Sequence, residues 1–156
     1  MTPATITRPL VIYALVGLWA LKGFQSFLTG IVGTGFYVHD QITKGALQGY
    51  GLQLAIQSVL FSVVLAGGSF YVMAALWLGR RAARSWGILL AVLHEGVVLA
   101  YLVTRPPEFG GEANLIRTVT IDSVVNLGMI AVLLFDVRVR AFLGDAPLIG
   151  WWAPRR

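Results

Sequence analysis

The chain contains no cysteine and few charged residues, and each shortage excludes a class of protein. Without cysteine there is no disulfide, no thiol nucleophile and no thiolate-bound metal. Charged residues make up 12% of the 156 residues, about half the share typical of a soluble domain, whereas 57% are hydrophobic. The composition therefore argues against a water-soluble fold.

Acidic residues are the scarcer of the two charged kinds, which leaves a net charge of +5. The basic residues are scattered among apolar runs and do not form the basic stripe with interleaved aromatic residues that nucleic-acid binding favours. We therefore predict no nucleic-acid partner, and we attribute the positive charge to membrane topology.

Motifs for catalysis are also missing. The pairs Gly67-Gly68 and Gly110-Gly111 lack the spacing of phosphate-binding loops, and no serine lies in a nucleophile-elbow pattern. His94-Glu95 begins an H-E-x-x-H motif, but the second histidine is absent. The sequence predicts neither an enzyme nor a metal site.

Four apolar segments have the length of about twenty residues that a helix needs to cross a bilayer. They predict an all-α fold, a four-transmembrane-helix bundle that forms one domain over residues 1–156, with no linker that would divide it. The first segment is too long for a secretory signal and carries Lys22 at its centre, so we expect it to be retained. The predicted spans are residues 10–32, 52–78, 86–104 and 118–135.

Basic residues are unevenly shared between the two sides of this predicted bundle. By the positive-inside rule, the side with more of them is cytoplasmic, which places both termini in the cytoplasm. The opposite side carries Lys44, Arg105 and Arg117. The cytoplasmic side carries Arg8, Arg80, Arg81, Arg84, Arg138, Arg140, Arg155 and Arg156.

Polar residues near the middle of the spans form a predicted intramembrane cluster of Lys22, Glu95, Asp122 and Asn126. An uncompensated charge there costs about 2.5–3.5 kcal/mol on insertion scales, so Lys22 needs an acidic partner. Its depth favours Glu95, with Asp122 as the second choice. The cluster is interpreted either as a proton or ion relay or head-group site, or as a buried ion pair that fixes helix register.

His94 has two interpretations. A histidine in the middle of a membrane is a candidate ligand for haem or another pigment, although no second ligand accompanies it. The alternative is a hydrogen-bonded interior side chain. Because Glu95 projects about 100° away around the same helix, the two side chains cannot face the same partner.

Several short segments together resemble a family of small bacterial four-span integral membrane proteins of unknown function. The resemblance implies the four-span fold and a location in a bacterial inner membrane, and it implies no particular activity. It is carried by Arg8-Pro9-Leu10, Leu21-Lys22-Gly23, Leu76-Trp77, Arg80-Arg81-Ala82-Ala83-Arg84, Glu95 and Val125-Asn126-Leu127.

We interpret the chain as a non-catalytic membrane protein that associates with other membrane subunits, as an accessory subunit of a larger complex, or with copies of itself. Glycines on helix faces permit the close helix contacts that such association uses. The alternative is a small proton- or cation-coupled transporter that uses Lys22, Glu95 and Asp122. The predicted helix-contact glycines are Gly17, Gly30, Gly68 and Gly128.

Overall fold

The computed structural model describes residues 8–45, 50–104 and 112–144, and every regular element in these ranges is helical. The predictions for Arg105, Arg155, Arg156 and the side chain of Arg117 lie outside this description. The elements in chain order are α1 (Leu10–Ser26), a π-helix (Phe27–Gly33), α2 (Thr34–Thr43), α3 (Tyr50–Trp77), α4 (Ala82–Thr104), α5 (Glu112–Phe135) and α6 (Val137–Leu143).

The first helix continues past its predicted end. Its α1, π and α2 parts follow one another without a break from Leu10 to Thr43, which is about 50 Å at 1.5 Å per residue. That length exceeds the roughly 30 Å of a bilayer core, so the helix extends beyond the core or tilts within it. Gly45, with φ of +64°, lies just after its end, in a backbone conformation that glycine adopts without strain.

The other ends are set by local chemistry. Gly79, also at φ +64°, makes the turn between α3 and α4. Asp136 separates α5 from α6, and its Oδ1 accepts hydrogen bonds from the Arg138 N–H at 2.8 Å and the Val139 N–H at 3.3 Å. This N-cap starts α6 at an angle of 66° to α5.

The helices pack in the order α1 on α3, α3 on α4 and α4 on α5 around one apolar core. Gly87 of α4 lies where all four meet. A Cβ at this position would lie 2.9 Å from Leu133, 3.4 Å from Val72 and 3.8 Å from Trp19. A side chain at residue 87 would therefore require Leu133 to shift, while Val72 and Trp19 lie at ordinary contact distance.

One end of the bundle, which we call the arginine-rich end, gathers six arginines: Arg8, Arg80, Arg81, Arg84, Arg138 and Arg140. The Arg8 guanidinium lies 4.3 Å from the ring centroid of Trp77, a cation–π contact that joins the start of α1 to the end of α3. Arg84 is buried, and its Nε donates to the Leu133 carbonyl at 2.8 Å. Because the last carbonyls of a helix lack internal partners, Arg84 helps to satisfy the end of α5.

Within the described ranges, three helices are long and apolar enough to span a membrane, over Leu10–Thr43, Ala55–Trp77 and Ala82–Leu99. Val119–Phe135 with Val137–Leu143 forms a bent pair that would make a fourth span. Large apolar side chains such as Leu60, Val124 and Phe135 lie exposed on the outside, as expected of a surface that faces lipid. The all-helical, multi-span prediction is thus confirmed at the level of three to four spans.

Candidate functional site

The polar residues predicted in the spans meet inside the bundle. Lys22 Nζ lies 2.6 Å from Asp122 Oδ1, and this ion pair joins α1 to α5. The Lys22 side chain is 5% exposed and that of Asp122 is 24% exposed. A lysine enclosed in this way stays charged at acceptable cost only beside an acid, so the pair satisfies the requirement stated for Lys22.

The partner of Lys22 is thus Asp122, the second choice predicted from the sequence, and not Glu95, which the predicted depth favoured. The helix bounds give the reason. Lys22, Glu95 and Asp122 lie twelve, thirteen and thirteen residues from the arginine-rich ends of their helices at Leu10, Ala82 and Phe135. All three therefore share one level, about 18–20 Å from that end, and depth alone does not separate the two acids.

Glu95 has partners of its own on α5. Its Oε1 accepts a hydrogen bond from Ser123 Oγ at 2.5 Å, and its Oε2 accepts one from Asn126 Nδ2 at 3.1 Å. Asn126 was predicted in the cluster, whereas Ser123 was missed. A serine beside Asp122 carries little signal in a hydropathy profile, and its role emerges only once α4 and α5 are paired.

His94 faces a different part of the interior from Glu95, as their spacing requires. It is 8% exposed and lies within electrostatic range of both Lys22 and Asp122, and its buried Nε2 has no hydrogen-bond partner in the part of the chain that the structure describes. Among the residues described, no three His, Asp or Glu side chains are grouped as metal ligands. Ligation of haem or another pigment by His94 stays a prediction.

Three further buried polar atoms lack a hydrogen-bond partner among the described residues: Trp19 Nε1, Ser69 Oγ and Asn126 Oδ1. With His94, they come from all four packed helices. Trp19, Ser69 and Asn126 lie eight or nine residues from the arginine-rich ends of their helices, about one turn closer to that end than the ion pair. Buried polar groups are almost always paired, so a layer of unpaired ones is a feature that calls for a role.

The four predicted contact glycines divide into two pairs. A Cβ at Gly30 would overlap Ser62 of α3, and a Cβ at Gly68 would lie 2.9 Å from Leu90 of α4. No atom of the described residues lies within 4 Å of a Cβ built at Gly17 or Gly128, and both glycines lie exposed on the outer surface. Within this chain, therefore, Gly30 and Gly68 lie at helix contacts, and Gly17 and Gly128 do not, because their faces point away from the neighbouring helices.

No protein-family model matches the chain, and no curated protein or solved structure is significantly similar to it. The family resemblance drawn from the sequence stays a prediction. The fold and the apolar outer surface define the class of the molecule, a multi-pass helical membrane protein with a cluster of polar residues inside its apolar core.

Proposed function

We propose that this chain is a non-catalytic membrane protein that acts by association, as an accessory subunit of a larger membrane complex or as a homo-oligomer. The observation that carries the proposal is that the interior acids serve as ties between helices. Asp122 holds Lys22 of α1, and Glu95 of α4 holds two side chains of α5. Contacts of this kind fix the register of a bundle and require no reaction.

The open glycines support association. In lipid, where burial of apolar surface gives little drive, helices associate through close backbone approach at small residues. Gly17 of α1 and Gly128 of α5 are exposed, apolar in their surroundings and unused within the chain. They are the positions where a helix of another subunit would approach most closely.

Purification in mild detergent tests the proposal. We expect the wild-type chain to migrate with a larger complex or as an oligomer when its mass is measured by light scattering. Gly17→Leu and Gly128→Leu should release the monomer, whereas Gly35→Leu, at another open position, should not. A wild-type chain that is monomeric at every concentration and brings no partner from native membranes would refute the proposal.

The proposed orientation places the arginine-rich end in the cytoplasm of a bacterial cell, with the chain in the inner membrane. The orientation rests on the charge bias between the two ends, and the bacterial inner membrane rests on the family resemblance drawn from the sequence. Arg80 and Arg81 are exposed and suit a test, whereas replacing Arg84 would also break its contact with Leu133. Reporter fusions at both termini should show a cytoplasmic location in the wild type and a mixed one in Arg80→Gln/Arg81→Gln.

A proton- or cation-coupled transporter is the second candidate, and the unpartnered interior atoms favour it. His94, Trp19 and Ser69 present polar atoms to the interior near the Lys22–Asp122 level. Such groups are the usual lining of hydrated interiors. In liposomes with an enclosed pH-sensitive dye, a transporter would show a proton flux that Asp122→Asn abolishes and that Asp40→Asn, at an exposed position, preserves. No flux above that of empty liposomes would exclude this candidate.

A further inference from the structure

An apolar groove runs along the outside of the bundle between α3 and α4. Its volume is about 430 Å³, within the range of small-molecule sites. Most of its lining residues are also partly exposed at the surface, so the groove opens toward the membrane. The residues that define its length and walls are Val64, Gly67, Tyr71, Trp86, Leu89 and Leu93.

Two consecutive glycines create the recess. Gly68 lets α3 approach α4, since a Cβ there would lie 2.9 Å from Leu90. Gly67 beside it faces open space, with no atom within 4 Å of its Cβ position. A larger side chain at residue 67 would therefore fill the groove without displacing another part of the protein.

The depth of the groove matches one leaflet of a bilayer. Trp86 lies four residues from the start of α4 at Ala82, and Val64 lies thirteen residues from the end of α3 at Trp77. These spacings place the groove between about 6 and 20 Å from the arginine-rich end. One leaflet contributes about half of a hydrocarbon core of roughly 30 Å, so the groove covers nearly the length of one acyl chain.

Positive charge lies at the same end of the bundle as Trp86. Arg80 and Arg81 are exposed beside the turn that joins α3 to α4, six and five residues before Trp86, and Arg81 Nε lies 3.0 Å from the Cβ position of Gly144 at the end of α6. Tyr71 and Trp86 meet edge to face at a centroid distance of 6.2 Å near this end. Arginines suit a phosphate, and aromatic rings of this kind favour the level of lipid head groups.

We propose that the groove between α3 and α4 binds an anionic phospholipid, with one acyl chain along Gly67 and the phosphate at Arg80 and Arg81. A transmembrane helix from another protein could also occupy the groove, but its apolar side chains would offer no negative charge to Arg80 and Arg81. The inference stands apart from the proposed association, since it concerns a different face from Gly17.

Native mass spectrometry tests the proposal. The protein is released from detergent after incubation with phosphatidylglycerol or with phosphatidylcholine of the same chains, and bound lipid is counted per polypeptide chain. We expect one phosphatidylglycerol to be retained in preference to phosphatidylcholine. Arg80→Gln/Arg81→Gln should reduce that preference about thirtyfold, taking about 1 kcal/mol for each arginine near an anionic head group.

A separate variant tests the apolar part of the groove. Gly67→Leu should lower retention of both lipids by at least tenfold, whereas Gly17→Leu, an equally open position on α1, should leave retention unchanged. Because bound lipid is counted per chain, the result does not depend on the oligomeric state. A failure of the lipid proposal can therefore be told apart from a failure of the association proposal. Equal retention of the two lipids by the wild type, or unchanged retention in Gly67→Leu, would overturn the proposal. So would displacement of the lipid by a second copy of the chain.

Discussion

The first helix is held on its two sides by different chemistry. Toward α3 it forms a tight seam in which Gly30 lies against Ser62 and Thr34 Oγ1 lies 3.2 Å from Ser58 Oγ. Toward α5 the helices approach less closely, and the Lys22–Asp122 ion pair spans the space. Small residues thus fix the contact where backbones touch, and charge fixes it where they do not.

The largest effect is expected from Gly30→Ala, which would break the seam. The added Cβ would overlap both Ser62 Oγ and Ser62 Cβ, and the latter cannot move away without its backbone. We expect folded protein in mild detergent to fall to a small fraction of the wild-type yield.

Two further variants isolate the cause. Ser62→Gly combined with Gly30→Ala removes the overlapping atoms and should restore much of the yield. Gly17→Ala, on the same helix but with open space around it, should match the wild type. If Gly30→Ala alone folds normally, Gly30 does not pack against Ser62 as closely as the structure shows.

The ion pair should give the next largest effect. Lys22→Met or Asp122→Leu alone leaves a buried charge unpaired, which costs about 3–5 kcal/mol in soluble proteins, whereas changing both residues costs much less. Unfolding of the single and double variants in detergent measures the coupling. Lys22→Met combined with Glu95→Leu should show no comparable rescue, because Glu95 binds Ser123 and Asn126.

Much of the fold was predictable from the sequence, because apolar length is a property of one segment at a time. The predicted spans at 52–78 and 86–104 match α3 and α4 to within a few residues. Which side chains pair between helices depends, in contrast, on where each helix begins and ends. The span predicted from residue 118 belongs to a helix that starts at Glu112, so a midpoint taken from the shorter span misplaces Asp122.

Other features depend on neighbours that the sequence does not reveal. From the sequence, Arg84 is one of several basic residues expected on the cytoplasmic side. In the structure it is buried against the last carbonyls of α5. Trp19 reads as an ordinary apolar residue, yet it is fully buried beside Gly87. The π-helix at Phe27–Gly33 likewise has no proline or charge that marks it.

A smaller effect is expected where a neutral donor meets the interior carboxylate. Ser123→Ala removes one of the two hydrogen bonds to Glu95 and leaves Asn126 in place. Hydrogen bonds between membrane helices average about 0.6 kcal/mol and reach about 1.7 kcal/mol. Because Glu95 is a carboxylate in a partly buried setting, we expect a loss near the upper value, measured as a shift in unfolding free energy. Glu95→Gln keeps an acceptor for Ser123 but removes the charge. In that background, Ser123→Ala should cause a smaller loss of unfolding free energy.

The smallest effect is expected at the far end of the seam, where Thr34 and Ser58 share a hydrogen bond at exposed positions. Both partners are neutral hydroxyls, so Thr34→Val should cost about 0.6 kcal/mol or less, the average for such bonds between membrane helices. The valine keeps the shape of threonine, which isolates the hydrogen bond from packing. Ser58→Ala should give the same small loss, and the double variant should add nothing further. A loss as large as that of Ser123→Ala would mean that hydrogen bonding as well as close packing holds the first helix, from Leu10 to Thr43, to α3.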